Sequence, residues 1–490
     1  MSKMINQLIL YPTEKHQLYK EAESLNILPS QVQRVELLRR YSDKIFLNHE
    51  LSRSLVSFQA NKKIPFYRWF KYKEAFSSEL VLYFLDRFHP GPIAIPRALD
   101  PFAGAGTTLT AAAKSGWHAT GIEILPIAAA AIRARLLADT VKIKSFQYYL
   151  KKFEKVSLNS PPSNGYHFPH LRITDKAFPK ETERAISSYK AFLDEIKDNE
   201  VNYLFWFACL SILEDVSYTR KDGQYLRWDY RSGKCVKSNF SKGIIWDFKT
   251  AINRKLQMML EDIIKRNDGI FSQHVEVIEE SCLIELPRLP DSTFNLVITS
   301  PPYCNRYDYT RTYALELAFL GYDEEDVKNL RQTLISATVE NKTKRDQLEL
   351  EYRLRNQDDR YRRAVDIFTN QKALHEVLSI LNEDRKKGKL NNNNIPNLVE
   401  NYFFEMNIVI NELSRVLAPG GHVVMVNDNV QYNGEEVPVD LILSDFAANA
   451  GLLVDHIWVL PRGKGNSSQQ MGAYGRSELR KCVYIWSKPS

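Results

Sequence analysis

Cysteine is scarce in this sequence. There are five in 490 residues (Cys209, Cys235, Cys282, Cys304 and Cys482), an odd number with no Cys-x-x-Cys pair. That excludes a disulfide framework, and no metal site is expected. Long apolar runs are missing too. The longest, residues 203–213 (YLFWFACLSIL), is too short to span a bilayer. The first residues, MSKMINQLILYPTEKHQ, lack a long apolar stretch leading to a small-residue cleavage site, so no signal peptide is expected and a cytoplasmic protein follows. What is present is the composition of a folded protein with ample core, 44% apolar and 26% charged, which rules out intrinsic disorder, collagen and most fibrous classes. The net charge of +7 hints at a polyanionic partner and no more. A length of 490 suits one large elaborated domain or two to three ordinary ones.

Residues 1–60 read as a mostly helical, charged extension. Between Phe66 and Leu85 apolar positions recur at helical spacing, with Ser77 as a candidate cap. Pro92 and Pro96 break that pattern. A strand at 98–100, a glycine turn, a helix at 107–115 and a strand at 120–124 then follow, an alternation that favours a parallel sheet covered by helices. Residues 61–139 are therefore the first part of a catalytic domain, which two stretches interrupt. Residues 140–265 contain helical segments and a basic, aromatic piece. Strand patterns resume in 266–321 with HVEVIEES (274–281) and FNLVITS (294–300). Residues 322–398 are rich in charge and helix formers and end in RKKGKLNNNN, expected as a mobile loop. Residues 399–490 return to α/β, with strands near 422–428, 453–460 and 480–487 and a helix near 438–449. The fold class is α/β: one domain split by two largely helical insertions.

The first motif is ALDPFAGAGTTL. Gly104 and Gly106 stand at the carboxyl end of a strand and open a helix, where glycine permits a sharp turn and close approach of a ligand. Glu123 ends the next strand, 19 residues after Gly104, where a doubly wound fold presents a carboxylate to the ribose hydroxyls of a nucleoside. Leu109 occupies the place of the third glycine of a dinucleotide fingerprint. A cofactor without a pyrophosphate therefore fits better than a dinucleotide. Taken alone the glycines are equally a structural turn; strand, helix and Glu123 in register make a nucleoside-cofactor site.

The second motif follows FNLVI directly: Thr299-Ser300-Pro301-Pro302-Tyr303. Two prolines end strand pairing and fix a rigid loop where α/β folds put their chemistry. The loop offers a hydroxyl, free carbonyls and an aromatic face. Those groups suit the exocyclic amine of a planar base. Accepting its two N–H bonds at Ser300 and a proline carbonyl would free the nitrogen lone pair, while Tyr303 stacks on the ring. A diproline turn alone is an ordinary strand end. Residues 159–163 (NSPPS) have the prolines but neither a preceding β-rich run nor a following aromatic, and are read as a decoy.

In combination, DPFAGAGTT with its strand-ending Glu and TSPPY after a strand resemble the S-adenosylmethionine-dependent DNA amino-methyltransferases of bacterial restriction–modification systems. FKYKEAFSSELV (70–81) resembles that family's cofactor-side segment, VEVIEES (275–281) its third-strand acidic signature with Glu280 for the usual Asp, and RVLAPGGHVVMV (415–426) the passage after the catalytic loop. About half of the chain is covered. The resemblance implies a Rossmann-like domain with a mostly parallel seven-stranded sheet and helices on both faces, and S-adenosyl-L-methionine as cofactor. It implies that Asp100, Phe102, Gly104, Gly106, Thr107 and Glu123 bind that cofactor, with Glu280 and Ser281 near its adenine. Ser300, Pro301, Pro302 and Tyr303 would hold the target base. In this family a serine before the diproline accompanies cytosine N4 more often than adenine N6, so N4 of cytosine is the favoured target. Adenine N6, an RNA base, and a nucleic-acid-binding module without activity are the alternatives. No Pro-Cys dipeptide supports C5 chemistry, and Cys304 reads as structural.

The implied partner is double-stranded DNA, with a cognate restriction endonuclease as a further one. Its candidate reader lies in the first insertion, where residues 220–242 carry seven of the basic residues against Asp222 and Asp229. Arg220, Lys221, Arg227, Arg231, Lys234 and Lys237 supply charge for phosphates and base edges, and Trp228 a stacking face. The competing reading is a solvated hairpin. The run 385–389 offers a second place to touch backbone, and NSSQQMGAYGRSELR (466–480) a loop near the base pocket.

Overall fold

A computed structural model describes residues 32–92, 95–158, 165–222, 225–234, 239–266, 274–461 and 479–490. Its strands, in chain order, are β1 Ile45–Leu47, β2 Arg97–Asp100, β3 His118–Ile122, β4 Thr219–Asp222, β5 Tyr225–Trp228, β6 Val275–Ile278, β7 Phe294–Thr299, β8 Leu417–Asp428, β9 Val430–Tyr432, β10 Glu435–Val437, β11 Leu453–Val459 and β12 Lys481–Ser487. Eight of them form one sheet in the order β1-β11-β12-β8-β7-β2-β3-β6. Only β12 runs antiparallel to its neighbours. The chain winds outward from β2 through β3 to β6, then returns to β7 on the other side of β2. Winding therefore reverses between β2 and β7, and the loops after these strands diverge to leave a crevice at their carboxyl ends.

Alternation along the central strands shows why both faces are covered. Leu296, Ile298, Val424 and Val426 join one core with the helices Ser78–Arg87 and Thr107–Lys114. Val297, Val423 and Met425 point the other way, into a core shared with the helices Ile395–Val416 and Val439–Asn449. Strands buried on both sides read as continuous apolar runs, as FNLVI and HVVMV do.

The two insertions are built differently. The first forms its own core from the helices Ile143–Glu154, Lys180–Asp194, Asn199–Ile212 and Phe248–Ile264, packed on the alanine-rich helix Pro126–Thr140. The apolar run at 203–213 lies largely in the buried helix Asn199–Ile212, and no described helix is long and apolar enough to cross a membrane. The second insertion is helical but contributes Leu348, Phe368, Leu374 and Leu381 to the core of the sheet itself. Its expected mobile loop is an ordered turn, closed by Gly388 N–H on the Arg385 carbonyl and Ile395 N–H on the Asn392 carbonyl.

Some boundaries differ from the sequence reading. The sheet has eight strands rather than seven, because three residues of the N-terminal extension, β1, pair with β11. A strand that short carries no readable alternation. The expected Ser77 cap is present: the helix begins at Ser78, with the Ser77 hydroxyl accepting from Leu80 N–H at 3.1 Å. Residues 66–69 are held out of it by the buried Asp262 carboxylate, which accepts from Phe66 N–H at 3.0 Å, Trp69 Nε1 at 2.8 Å and the Arg68 guanidinium. The start of the extension (residues 1–31), the NSPPS stretch, Lys237 and residues 466–478 of the late polar loop lie outside the described residues.

Candidate active site

The glycine turn, the end of β3 and the Ser-Pro-Pro loop meet because β3, β2 and β7 are adjacent parallel strands, with Leu99 paired to Val297 on one side and Thr120 on the other. They line one cleft holding about 750 Å³ of space, part of it open to solvent. Asp100, Phe102, Gly104, Thr107, Glu123, Glu280, Ser281, Ser300 and Pro302 all face it.

The turn is locked from within. Gly104 has φ +52°, and a Cβ there would sit 2.9 Å from the Tyr72 ring. Its N–H donates to one oxygen of Glu123 at 2.6 Å, and Leu125 N–H donates to the other at 2.7 Å. Burial pushes the Glu123 carboxyl up to about 8, against the pull of these two bonds. Asp100 is a brace. It accepts from Thr299 Oγ1 and Thr108 Oγ1, each at 2.7 Å, tying β2 to the end of β7 and to the helix after the turn. Burial raises it to about 6. Gly106 is the one residue of the glycine set that does not line the cleft. It caps the helix Thr107–Lys114 at φ +75°, where a Cβ would come within 2.8 Å of Ile132, so glycine lets the helices pack closely here.

In the second loop, the Ser300 hydroxyl donates to the Val426 carbonyl at 3.1 Å and approaches the Tyr303 hydroxyl at 3.4 Å. Its proton is committed to the protein, which leaves the oxygen as an acceptor. Pro301 is buried and Tyr303 half-buried, and neither lines the cleft. Tyr303 instead lies beneath the ammonium of Lys481, 5.4 Å from the ring centre. Burial opposes the charge on Lys481, but Asp428 (3.1 Å) and Tyr303 hold its pKa above the usual range. Cys304 is fully buried, and burial raises its thiol pKa, so it is no nucleophile.

The rest of the lining was not legible residue by residue. Tyr72, Glu74 and Phe76 come from the cofactor-side segment read at 70–81. Glu74 accepts from the hydroxyls of Tyr307 and Tyr313, the latter at 2.6 Å, and Tyr313 stacks on Tyr72. Tyr309 also faces the cleft. The tyrosine spacing in NRYDYTRTY, just beyond the diproline, was the available signal. Thr333, Leu334 and Ile335 arrive from the second insertion, and no local pattern announces them. Among the described residues the lining contains four carboxylates (Glu74, Asp100, Glu123, Glu280) and no Lys, Arg or His. With Glu123 held protonated near neutral pH, Glu74, Asp100 and Glu280 still leave the lining net acidic. It has no cation to receive a pyrophosphate and room for a nucleoside bearing positive charge.

The basic hairpin forms as β4–β5, but its cations are not alike. Lys221 is 2% exposed, with its ammonium paired to Glu316 and lying 4.5 Å from the Tyr313 ring centre. Burial opposes its charge, yet Glu316 and Glu214 raise its pKa. It braces the cleft wall and has no access to DNA, which removes it from the expected reading set. Arg231 grips the buried Asp229 at 2.7 and 2.8 Å and the Gly243 carbonyl. Arg227 pairs with Asp222 and lies over Phe240. Lys234 lies over Trp228, 3.8 Å from its centre, and Trp228 packs on the insertion's core. Arg220 is exposed on β4.

No family model matches the chain. Curated relatives do. The Type II methyltransferase M.AvaI of Nostoc sp. is 45% identical over 461 residues, covering 92% of each chain. The Type II methyltransferase M.BsoBI of Geobacillus stearothermophilus is 40% identical over 489 residues, covering 95% of this chain and 94% of its own. A more distant one, the Type II methyltransferase M.MvaI of Kocuria varians, is 21% identical over 424 residues.

Proposed function

The chain belongs to the Type II methyltransferases, the DNA methyltransferases of restriction–modification systems, and from that premise we propose that it transfers a methyl group from S-adenosyl-L-methionine to the exocyclic N4 of a cytosine turned out of duplex DNA. The observation that carries this is Ser300. It stands on the same cleft as Gly104 and Glu123, with its proton given to Val426 and its oxygen left to accept.

The cofactor fits the cleft on the charge of the lining. Glu123 would take the ribose hydroxyls, Phe102 and Ile122 the apolar edge of the nucleoside, and the surrounding carboxylates the positive charge. Glu280 and Ser281 complete the adenine side. When bound, the cofactor supplies a sulfonium methyl, an electrophile that needs no covalent enzyme intermediate. The chain's own task is positioning. Ser300 Oγ and a carbonyl of the diproline accept the two N–H bonds of the amine, drawing its lone pair out of conjugation. Tyr303, beneath the Lys481 ammonium and beside the Ser300 hydroxyl, braces the loop that presents Ser300. In a duplex, such an amine reaches a crevice of this kind by extrusion of the base. A cognate endonuclease would complete the system.

The test is transfer of labelled methyl from S-adenosyl-L-methionine to unmodified DNA, for wild type and Ser300→Ala. Wild type labels the DNA. The variant loses roughly 100-fold in turnover, as expected for one lost transition-state contact, while cofactor affinity in calorimetry stays within about 3-fold. No label from wild type, or equal losses of turnover and affinity in the variant, would contradict the proposal.

A further inference from the structure

The two insertions use their positive charge differently. In the hairpin, Lys221, Arg227 and Arg231 are 3%, 40% and 37% exposed, and each is paired with a carboxylate of the chain. In the second insertion, Lys386, Lys387 and Lys389 are 71%, 59% and 55% exposed. Lys386 and Lys387 meet the exposed Glu383, pairs of little strength, and Lys389 reaches the largely buried Asp384 only at 3.9 Å. From Arg385 to Val399 the sequence RKKGKLNNNNIPNLV then holds five asparagines and no carboxylate.

Three of these asparagines, Asn392, Asn394 and Asn397, border a groove holding about 1430 Å³ of space, part of it open to solvent, between residues 339–345 and 392–401. Its two carboxylates, Glu340 and Glu400, are neutralised by Arg311 and Arg331 and by Arg345. The side chains of Asn394 and Asn397 each make one long bond within the chain, to the Val339 carbonyl and from Arg385, both at 3.3 Å. The groove is fastened to the Ser-Pro-Pro loop. Arg306, three residues beyond Tyr303 and at φ +64°, donates to Asn391 Oδ1 at 3.1 Å. Tyr432 of the β9–β10 hairpin donates to the Cys304 carbonyl at 2.6 Å, and Asn433 beside it donates to Asp384 at 2.7 Å.

Carboxamides carry a donor and an acceptor on one planar group and can read a base edge bidentately, whereas lysines neutralise phosphates without reading sequence. We propose that the asparagine groove of the second insertion is the surface that reads the sequence of duplex DNA beside the target base, with Lys386, Lys387 and Lys389 gripping its backbone. The inference rests on the proposed DNA methylation and adds the place of recognition.

The test uses the full chain, expressed in a host without its own modification, with methylated positions mapped by single-molecule sequencing. Wild type defines the recognition sequence. Asn394→Ala/Asn397→Ala changes two exposed residues and is expected to relax it, with discrimination at one or more positions falling roughly 10- to 100-fold. Lys386→Gln/Lys387→Gln/Lys389→Gln should keep the sequence but weaken binding to a duplex carrying it, and lower the log–log salt slope by about 3. Calorimetry with S-adenosyl-L-methionine, unchanged in both, shows the fold intact. Asparagine variants that keep the wild-type preference overturn the assignment, even where the lysines matter. So does a preference that shifts instead with Arg220→Ala. A wild type that leaves the DNA unmodified would sink the proposed activity and this inference together, whereas the other outcomes sink the groove alone.

Discussion

Ser300 and Glu123 are poised in opposite ways. Ser300 directs its O–H at the Val426 carbonyl, while Glu123 holds a proton more tightly than a solvated carboxyl does. The second point sets a pH dependence. Burial raises the Glu123 pKa from 4.5 to about 8, so the free protein favours the protonated form at pH 7. Its contribution to stability is full below pH 4.5 and is lost as pH rises through about 8. Ribose hydroxyls donate best to the ionised form. Cofactor binding near pH 7 should therefore release a proton and tighten as pH approaches about 8. Calorimetry in two buffers of different ionisation enthalpy reads this directly, and Glu123→Gln should abolish the slope. A flat profile for wild type would remove Glu123 from the ribose site. Motif spacing puts these two residues at strand ends, and the parallel sheet brings both to one cleft. Gly106 sits in the same motif, and the neighbour that excludes a side chain there, Ile132, comes from a helix that the motif does not mention.

At the scale of elements, counting charge proved a poor guide to the hairpin. Lys221 and Arg220 are adjacent on β4, yet alternation sends one into the cleft wall and the other to solvent. Lys221→Met leaves Glu316 buried without its partner and should cost about 3–5 kcal/mol, read as a large drop in Tm. Arg220→Ala should change stability by no more than about 0.5 kcal/mol. Similar effects for both would mean that Lys221 is not the brace the packing shows. The strand–helix alternation from β2 to β3, and the later β8, β11 and β12, could be read because each strand is long or apolar enough to carry a pattern. β1 and the β9–β10 hairpin, three residues a strand, could not. Nor could Thr333–Ile335 be placed in the cleft, since tertiary packing alone carries the second insertion there.

Over the whole molecule, one sheet organises everything. The first insertion carries its own core and is anchored by Asp262, while the second has become part of the core of the sheet. Both thus pack against a single sheet, with the glycine-turn cleft and the Ser-Pro-Pro loop at the reversal between β2 and β7. The account stands on which atom receives the methyl group. Incubating the protein with S-adenosyl-L-methionine and unmodified DNA, digesting to nucleosides and analysing by mass spectrometry measures that atom directly. The account requires N4-methylcytosine; N6-methyladenine, or no methylated nucleoside from DNA, would contradict it.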